Sequence, residues 1–371
     1  MKIAVNATNI SSGGGLNHLL KFFENLENNI NENDTIFLWG SNDVLNQIKD
    51  LSFVKKHTNW FLDSNTIFRS IWVLFFLKYY LKKNKCDVLY NPGGIDLSRF
   101  KPLITMSRSM LPFELKSILR DFDFYLFFKM LVARLIIEIN FRYADGIIFI
   151  SNFALSRNKK YKHKSIVIRH GIEKALFRKK EFHRSLFSKT SPIRIIYPSS
   201  FFGYKNHKLL LKSIYSLKKN KFVELILVGD LKTANKNLLN RIKSFKKDNV
   251  QIRLIHSLNQ TELNDLYDYA DIGIFASKCE NLPNIFLEMI SKGLPVVSSN
   301  YGSNIEVLGI DGFYFKMNNF RDLRDKIELL YNSKKLREKI SKKNYVLSNS
   351  YDWEKTTLET FNFIKHRKKY V

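Results

Sequence analysis

The 371 residues are 45% hydrophobic and include 31 Phe, so general disorder is excluded and two domains of ordinary size are expected. A net charge of +27, from 61 Lys and Arg against 34 Asp and Glu, predicts an anionic partner: nucleic acid, anionic lipid or a phosphorylated substrate. Only Cys86 and Cys279 are present, which excludes a disulfide framework and favours the reducing cytoplasm.

Strand-like and helix-like segments alternate along the chain, a pattern typical of parallel sheets covered by helices, so we predict an α/β fold. The basic segment 181–192 separates two sets of predicted strands and places domains at 1–187 and 188–350. The first set covers 2–7, 35–39, 87–90, 103–106, 146–150 and 165–168. The second set covers 193–197, 224–228, 251–255, 272–275 and 295–298, and a closing helix is expected over 353–366.

Two apolar segments are candidates for membrane contact. The run Ile71–Leu77 has seven residues, far fewer than the roughly 18 to 20 of a membrane-spanning helix, and charged residues interrupt 122–141. Aromatic side chains beside lysines in 72–85 suit a helix on a membrane surface, and they equally suit the flank of a packed helix. Met1–Ala7 is expected to be a strand, since it lacks the features of a signal peptide.

A glycine-rich turn, Ser11–Gly15, follows the first predicted strand and precedes a helix expected over 16–26. Glycines such as Gly14 and Gly15 let the backbone approach a ligand closely, and the start of the helix can face an anion. The spacing does not match a dinucleotide-binding fingerprint, so the turn by itself indicates no particular cofactor.

The most informative segment is Cys279–Val297, which places the carboxylates of Glu280 and Glu288 eight positions apart across a helix start. Pro283 is predicted in the first helical turn, and Gly293 predicts the end of the helix. The start of a helix suits a phosphate, and the two carboxylates can accept hydrogen bonds from hydroxyls. The pattern therefore indicates a ligand that contains both phosphate and sugar.

This segment continues as ENLPNIFLEMISKGLPVVSSNYGSNIEVLG and resembles the donor-site block of retaining glycosyltransferases of the family 4 type, or glycosyl transferases group 1. The resemblance implies the GT-B fold, in which two doubly wound Rossmann-like domains face a cleft. The acceptor would bind to 1–187 and the nucleotide sugar to 188–350, and the helix in 351–371 would cross back to the first domain. The implied reaction transfers a sugar from a nucleotide-sugar donor with retention of anomeric configuration.

The resemblance also implies roles for individual residues. Glu288 would bind the donor ribose, and Glu280 would orient the sugar ring. Lys205 matches a lysine that holds the donor diphosphate, whereas Ser199 or Ser200 stands where the family has an arginine. The remaining implied donor contacts are Gly14, Gly15, Ser200, Asn281, Leu282, Pro283 and Asn284.

Arg108 departs from the family pattern. Many members have a His-Asp pair in this segment, and that pair faces the donor sugar. An arginine here points to contact with an anionic acceptor or with the donor phosphate. The implied catalytic residues are therefore Glu280, Lys205 and Arg108. No protein base is assigned, since the departing phosphate is commonly proposed to take the acceptor's proton in this family.

No cofactor or metal ion is expected, since the sequence lacks paired His or Cys ligands and Asp121 and Asp123 are interpreted as solvent-facing or ion-paired. The expected acceptor is a phosphate-linked lipid carrying a surface glycan of O-antigen or capsule type, and a soluble acceptor stays open. Such an acceptor implies a peripheral position on the inner face of the plasma membrane, without specific nucleic-acid binding. Two alternatives remain: a catalytically idle basic scaffold that binds membranes or nucleic acid, and a GT-B epimerase or phosphorylase.

Overall fold

The computed structural model describes residues 1–27, 29–115 and 124–367. The chain divides into two compact units. The first contains Met1–Phe113, Tyr125–Gly171 and Asp352–Val371, and the second contains Glu114–Phe124 and Ile172–Tyr351. Each unit is organised by one parallel sheet.

Seven parallel strands form the sheet of the first unit in the order β3-β2-β1-β4-β5-β6-β7. Parallel strands that are buried on both faces read as continuous apolar runs, and the central strands follow this rule: β4 and β5 are buried at every residue. In chain order the strands are β1 (Lys2–Asn6), β2 (Thr35–Trp39), β3 (Val54–His57), β4 (Val88–Asn91), β5 (Leu103–Ser107), β6 (Gly146–Phe149) and β7 (Ser165–Val167).

The helices of the first unit follow its strands. They are α1 (Gly13–Leu26), α2 (Asn42–Leu45), α3 (Trp60–Asp63), α4 (Thr66–Trp72), α5 (Lys78–Lys83), α6 (Phe124–Tyr143) and α7 (Asn152–Arg157). A π-helical stretch, Val73–Leu77, joins α4 to α5. Asn65 begins α4 by accepting hydrogen bonds from the backbone N–H groups of Ile67 and Phe68.

Six parallel strands form the sheet of the second unit in the order β10-β9-β8-β11-β12-β13. They are β8 (Ile193–Pro198), β9 (Val223–Gly229), β10 (Val250–His256), β11 (Ile272–Phe275), β12 (Val296–Ser299) and β13 (Tyr314–Phe315). The helices are α8 (His207–Tyr215), α9 (Lys236–Lys243), α10 (Gln260–Tyr269), α11 (Asn284–Ser291), α12 (Gly302–Leu308), α13 (Phe320–Asn332) and α14 (Lys334–Ser348). The last helix, α15 (Trp353–Arg367), lies in the first unit and contacts α1.

The strand order reverses once in each sheet: between β1 and β4 in the first and between β8 and β11 in the second. Connections leave the carboxyl ends of these neighbouring strands in opposite directions, and the crevice between them is where open α/β sheets bind ligands. The loops at the reversal points are 7–12 and 92–102 in the first unit, and 199–206 and 276–283 in the second.

The predicted α/β fold with two doubly wound parallel sheets is confirmed. β3 and β13 were not predicted from the sequence. β3 lies at the edge of its sheet and carries Lys55 and Lys56, so it lacks the apolar run of a central strand, and β13 has only two residues. Within the described residues, no helix combines the length and the apolar content needed to cross a bilayer.

Candidate functional site

Two loops of the second unit bring Lys205 and Glu280 together at the carboxyl edge of the sheet. Lys205 lies in the turn after β8, and Glu280 follows β11, the neighbouring strand across the reversal point. The Nζ of Lys205 is 2.5 Å from Oε1 of Glu280, and the two side chains are 13% and 12% exposed. The ammonium has further N–H donors and the carboxylate has a second oxygen, so the pair can bind a phosphate oxygen and a sugar hydroxyl together.

Hydrogen bonds to backbone groups fix both loops. The buried hydroxyl of Tyr197, near the end of β8, donates to the carbonyl of Lys205 at 2.6 Å. The backbone N–H of Lys278 donates to the carbonyl of Tyr204 at 2.8 Å and joins the two loops directly. The positions of the ammonium and the carboxylate are therefore set by the fold before a ligand binds, which is what electrostatic catalysis requires.

The other predicted donor contacts of this unit lie around the start of α11. Asn281 and Leu282 are buried, Asn284 is the first helical residue, and Ser200 is half-buried in the loop after β8. Pro283 has extended φ and ψ angles of −80° and 119° and immediately precedes the helix, so its expected place inside the first turn is wrong by one position. The positive end of the helix dipole still points toward the Asn281–Asn284 segment, where a phosphate would be stabilised.

Glu288 of α11 is paired with Tyr267 of α10. The Tyr267 hydroxyl donates to Oε2 of Glu288 at 3.0 Å. Burial raises the pKa of the Glu288 carboxyl, and hydrogen bonds from Tyr267 and Gln260 partly offset this effect. Burial also raises the pKa of Tyr267, so its hydroxyl remains a donor. Sequence reasoning missed Tyr267 and Gln260, although their spacing of seven residues places both on one face of a helix.

Replacing Glu288 by glutamine is expected to weaken binding of a nucleoside diphosphate about ten- to a hundredfold. The amide keeps the shape but loses charge-assisted hydrogen bonds to ribose hydroxyls, each worth about 1.5 to 3 kcal/mol. Tyr267→Phe is the matched second variant: it removes only the hydroxyl that orients the carboxylate, so a smaller loss, up to about tenfold, is expected. Calorimetric titration measures both affinities, and unchanged affinity in both variants would contradict the ribose-binding role.

The same residue gives the nucleotide affinity a pH dependence. The pKa of the Glu288 carboxyl is raised, and the ionised form is the better acceptor for ribose hydroxyls. Affinity should therefore be highest at pH values above this raised pKa and fall as the pH drops through it. The Glu288→Gln variant should lose that part of the pH dependence, because an amide does not titrate in this range.

In the first unit, the glycine-rich turn lies against Arg108. Gly13 has a φ of +64°, which favours glycine, and Gly14 is exposed in the first turn of α1. A Cβ on Gly15 would lie 2.6 Å from Nη1 of Arg108, so the absence of a side chain lets the guanidinium approach the backbone. The predicted residues Gly14, Gly15 and Arg108 therefore come together at the start of α1.

The environment of the Arg108 guanidinium is unfavourable for a charged group. Its Nε is buried without a hydrogen-bond partner among the described residues, and burial lowers the pKa of Arg108 to about 10. The group still carries its charge at neutral pH. Nearby His18 is neutral there, because burial lowers its pKa well below the ordinary value and Arg108 lowers it further. An anionic ligand would compensate the Arg108 charge, because a buried cation without a counter-charge is unstable.

Across residues 1–27, 29–115 and 124–367, no group of three or more His, Cys, Asp or Glu side chains is arranged to bind a metal ion. Asp121 and Asp123 lie outside these described residues. The structure thus gathers Lys205, Ser200, Glu280 and the start of α11 at one sheet edge of the second unit, with Glu288 on α11 itself.

Part of the chain matches a known protein family. Residues 178–346 match the family described as Glycosyl transferases group 1. The capsular polysaccharide biosynthesis glycosyltransferase CapH of Staphylococcus aureus is 29% identical over 242 residues, which are 62% of this chain and 61% of CapH. This chain spans between 22% and 61% of the length of the curated relatives that it matches.

Two solved structures are similar over nearly the whole chain. Anabaena HepE in complex with UDP-glucose has a TM-score of 0.70 and 17% identity, covering 98% of this chain and 99% of HepE. Sucrose-phosphate synthase of Thermosynechococcus elongatus has a TM-score of 0.74 and 15% identity, covering 100% of both chains. The predicted GT-B fold is confirmed, and residues 178–346 are similar to the glycosyl transferases group 1 family.

Proposed function

We propose that the protein is a retaining glycosyltransferase that moves a sugar from a nucleotide-sugar donor to a glycan acceptor. The observation that carries this proposal is the Lys205–Glu280 pair, with its 2.5 Å contact at the reversal point of a glycosyl transferases group 1 domain. A cation and a carboxylate at this point suit a ligand that carries a phosphate beside a sugar.

In the proposed reaction, the bond between the anomeric carbon and the donor phosphate breaks, and a bond to the acceptor oxygen forms on the same face of the sugar. Negative charge grows on the departing diphosphate, where Lys205 and the positive end of α11 stabilise it. Glu280 accepts hydrogen bonds from sugar hydroxyls and holds the ring in place. The departing phosphate oxygen takes the proton of the acceptor hydroxyl, so no side chain needs to act as the base.

Metal independence is part of the proposal. The Lys205 ammonium and the start of α11 together supply positive charge at the expected position of the diphosphate. A divalent cation would add a third positive group there. We therefore expect transfer to continue when a chelator is present.

The relatives support a class of donor and acceptor. HepE is described in complex with UDP-glucose, so UDP-linked sugars are the first donors to test. CapH is described as a glycosyltransferase of capsular polysaccharide biosynthesis. By analogy, we propose a lipid-linked glycan of capsule or O-antigen type as the acceptor, at the inner face of the plasma membrane.

The test is a panel of nucleotide sugars, assayed with and without acceptor lipids and with and without chelator. Nucleoside diphosphate release and the anomeric configuration of the product are measured, the latter by nuclear magnetic resonance. A product with retained configuration supports the proposal, and an inverted product contradicts it. Epimerised donor or phosphate-dependent cleavage would identify the epimerase or phosphorylase alternative, and binding without turnover would identify the idle scaffold.

Attachment to a membrane surface is a separate part of the proposal. Residues 66–85 contain no Asp or Glu, and Lys78, Lys82, Lys83 and Lys85 are exposed. Exposed apolar side chains accompany them, including Ile67 and Phe75 at 70% and 68% exposure. Such a surface fits anionic lipid headgroups over a shallow apolar layer.

The protein is expected to sediment with vesicles that contain an anionic lipid at low salt and to be released in part as ionic strength rises. Salt weakens the attraction between the lysines and the anionic headgroups, with a screening length of about 8 to 10 Å at physiological ionic strength, but it does not weaken apolar insertion. Phe75→Ser should therefore reduce the fraction that stays bound at high salt. Equal failure to bind neutral and anionic vesicles at low salt would contradict membrane attachment and leave the transferase proposal intact.

A further inference from the structure

We propose that a cavity at the reversal point of the first sheet binds the phosphate-bearing head of an amphiphilic acceptor, with Arg69 as the anion-binding side chain. The inference rests on the proposed function, because it names the acceptor class of that reaction. The cavity has a volume of about 180 Å³. Its polar lining consists of Thr8, Asn9, Ser11, Thr66, Arg69 and Ser70.

The position of the cavity in the fold is that of a ligand site. One wall is the loop after β1, and the apolar Ile95 and Leu97 come from the loop after β4. These two strands are neighbours where the strand order reverses. The Asn9 amide joins the two loops, since its Nδ2 donates to the carbonyls of Gly93 and Ile95 at 3.1 and 3.4 Å. The cavity is therefore built by the loops that the sheet topology assigns to binding.

Arg69 gives the cavity its preference for an anion. The Nε of Arg69 is buried and has no hydrogen-bond partner in the described part of the chain. A buried donor without an acceptor is unfavourable, so turning the cavity-lining guanidinium onto a phosphate oxygen would be favoured. The planar guanidinium binds phosphate through two N–H groups at once. Ser11, two residues before the start of α1 at Gly13, adds a hydroxyl near the positive end of that helix.

The size of the cavity limits it to the head of a ligand. Pockets that enclose a whole small-molecule ligand measure roughly 300 to 1,000 Å³. At about 180 Å³ this cavity is smaller, so the remainder of a ligand must lie outside it. Thr66 and Ser70 line the cavity together with Arg69. The Ser70 hydroxyl donates to the Thr66 carbonyl at 2.8 Å and can still accept a hydrogen bond, which suits a phosphate attached to a hydroxylated group.

The same helix provides an apolar surface for that remainder. Thr66, Arg69, Ser70 and Val73 line the cavity at helical spacing, so they share one face. The neighbouring face, displaced by one residue or about 100° around the helix, carries the exposed side chains Ile67, Ile71 and Leu74. An alkyl chain leaving the cavity would therefore meet an apolar stripe.

The charge of the segment selects an anionic amphiphile over a neutral or a cationic one. Residues 66–85 carry Arg69 and four lysines and no acidic side chain. The π-helical stretch Val73–Leu77 begins at the cavity-lining Val73, and such irregularities are frequent at functional sites. Cavity, cation and apolar stripe thus fit one molecule, a lipid-linked phosphate.

The test titrates the full-length protein, without nucleotide sugar, with three probes below any micellar concentration: decyl phosphate, decyl glucoside and inorganic phosphate. The wild-type protein is expected to bind decyl phosphate at least tenfold more tightly than either other probe. Arg69→Gln should lower the affinity for decyl phosphate about ten- to a hundredfold and leave decyl glucoside unchanged. Arg142→Gln, an exposed arginine on α6 outside the cavity lining, is the matched control and should bind like the wild type.

Ser70→Leu is a second variant, which fills the cavity and keeps Arg69, and it should also weaken decyl phosphate binding. Circular dichroism confirms that each variant is folded. Unchanged decyl phosphate binding by folded Arg69→Gln and Ser70→Leu, or an equal loss in Arg142→Gln, would overturn the site. Inorganic phosphate binding as tight as decyl phosphate would overturn the amphiphilic part. Failure of the transferase proposal can be told apart from failure of this site. The first would be seen in the assay with nucleotide sugars, whereas this titration contains no nucleotide sugar.

Discussion

Replacing Lys205 by alanine is expected to lower the rate of sugar transfer about a hundred- to a thousandfold and to change donor affinity much less. The diphosphate becomes more negative as the sugar departs, so the ammonium stabilises the transition state more than the bound donor. We expect Lys205 to supply a large share of this stabilisation, because the resemblance places Ser199 or Ser200 where the family has an arginine. Steady-state kinetics with the donor found by the panel separates kcat from KM.

The Lys205→Ala experiment needs a control for folding, because Lys205 forms an ion pair with Glu280. Both side chains are mostly buried, and removing one partner of a buried ion pair leaves an uncompensated charge, which costs about 3 to 5 kcal/mol when burial is complete. The double variant Lys205→Met with Glu280→Gln removes both charges and should unfold near the wild-type temperature. Lys205→Arg keeps the charge and should retain more transfer than the alanine variant. Near-normal turnover in a folded Lys205→Ala protein would show that another cation neutralises the leaving phosphate.

The fold was predictable from the sequence where burial leaves a continuous apolar pattern. Central strands such as β5 and β11 are buried along their whole length, so their residues are apolar without interruption or nearly so. β3 contacts one neighbouring strand only and tolerates lysine at consecutive positions, which removes the signal. The order of strands in each sheet is set by contacts between segments that are distant in the sequence. Local sequence patterns carry no information about these contacts.

Individual residues of the candidate site could be predicted from the sequence, but the contacts between them could not. Resemblance pointed to Lys205 and Glu280 separately, but the contact between them spans 75 positions and depends on β8 lying beside β11. Tyr267 was missed because a tyrosine in an amphipathic helix usually reads as a packing residue. Arg69 was missed because helical spacing defines a face of α4 without revealing which loops cover that face.

Arg108→Met is expected to lower transfer about a hundredfold and to raise the temperature of thermal unfolding. The guanidinium carries a charge at neutral pH, and its Nε has no partner among the described residues, so its burial is expected to cost the folded protein stability. Methionine has a similar length and no charge, so it relieves this penalty. A gain of about 1 kcal/mol would raise the midpoint by roughly 2 to 4 °C in a domain of 150 to 250 residues. A gain in stability with a loss of activity is the pattern of a functional residue.

Gly15→Ala tests the position of Arg108 without changing any charge. A Cβ at residue 15 would lie 2.6 Å from Nη1 of Arg108, and the flexible end of the arginine can move away at little cost in stability. We therefore expect a folded protein with reduced transfer and a normal unfolding temperature. Arg108→Lys keeps a positive charge and should recover part of the rate lost in Arg108→Met. The KM values for donor and acceptor in these variants identify which phosphate Arg108 contacts. Full transfer activity in Arg108→Met, together with a lower unfolding temperature, would show instead that Arg108 is a structural cation with a counter-charge of its own.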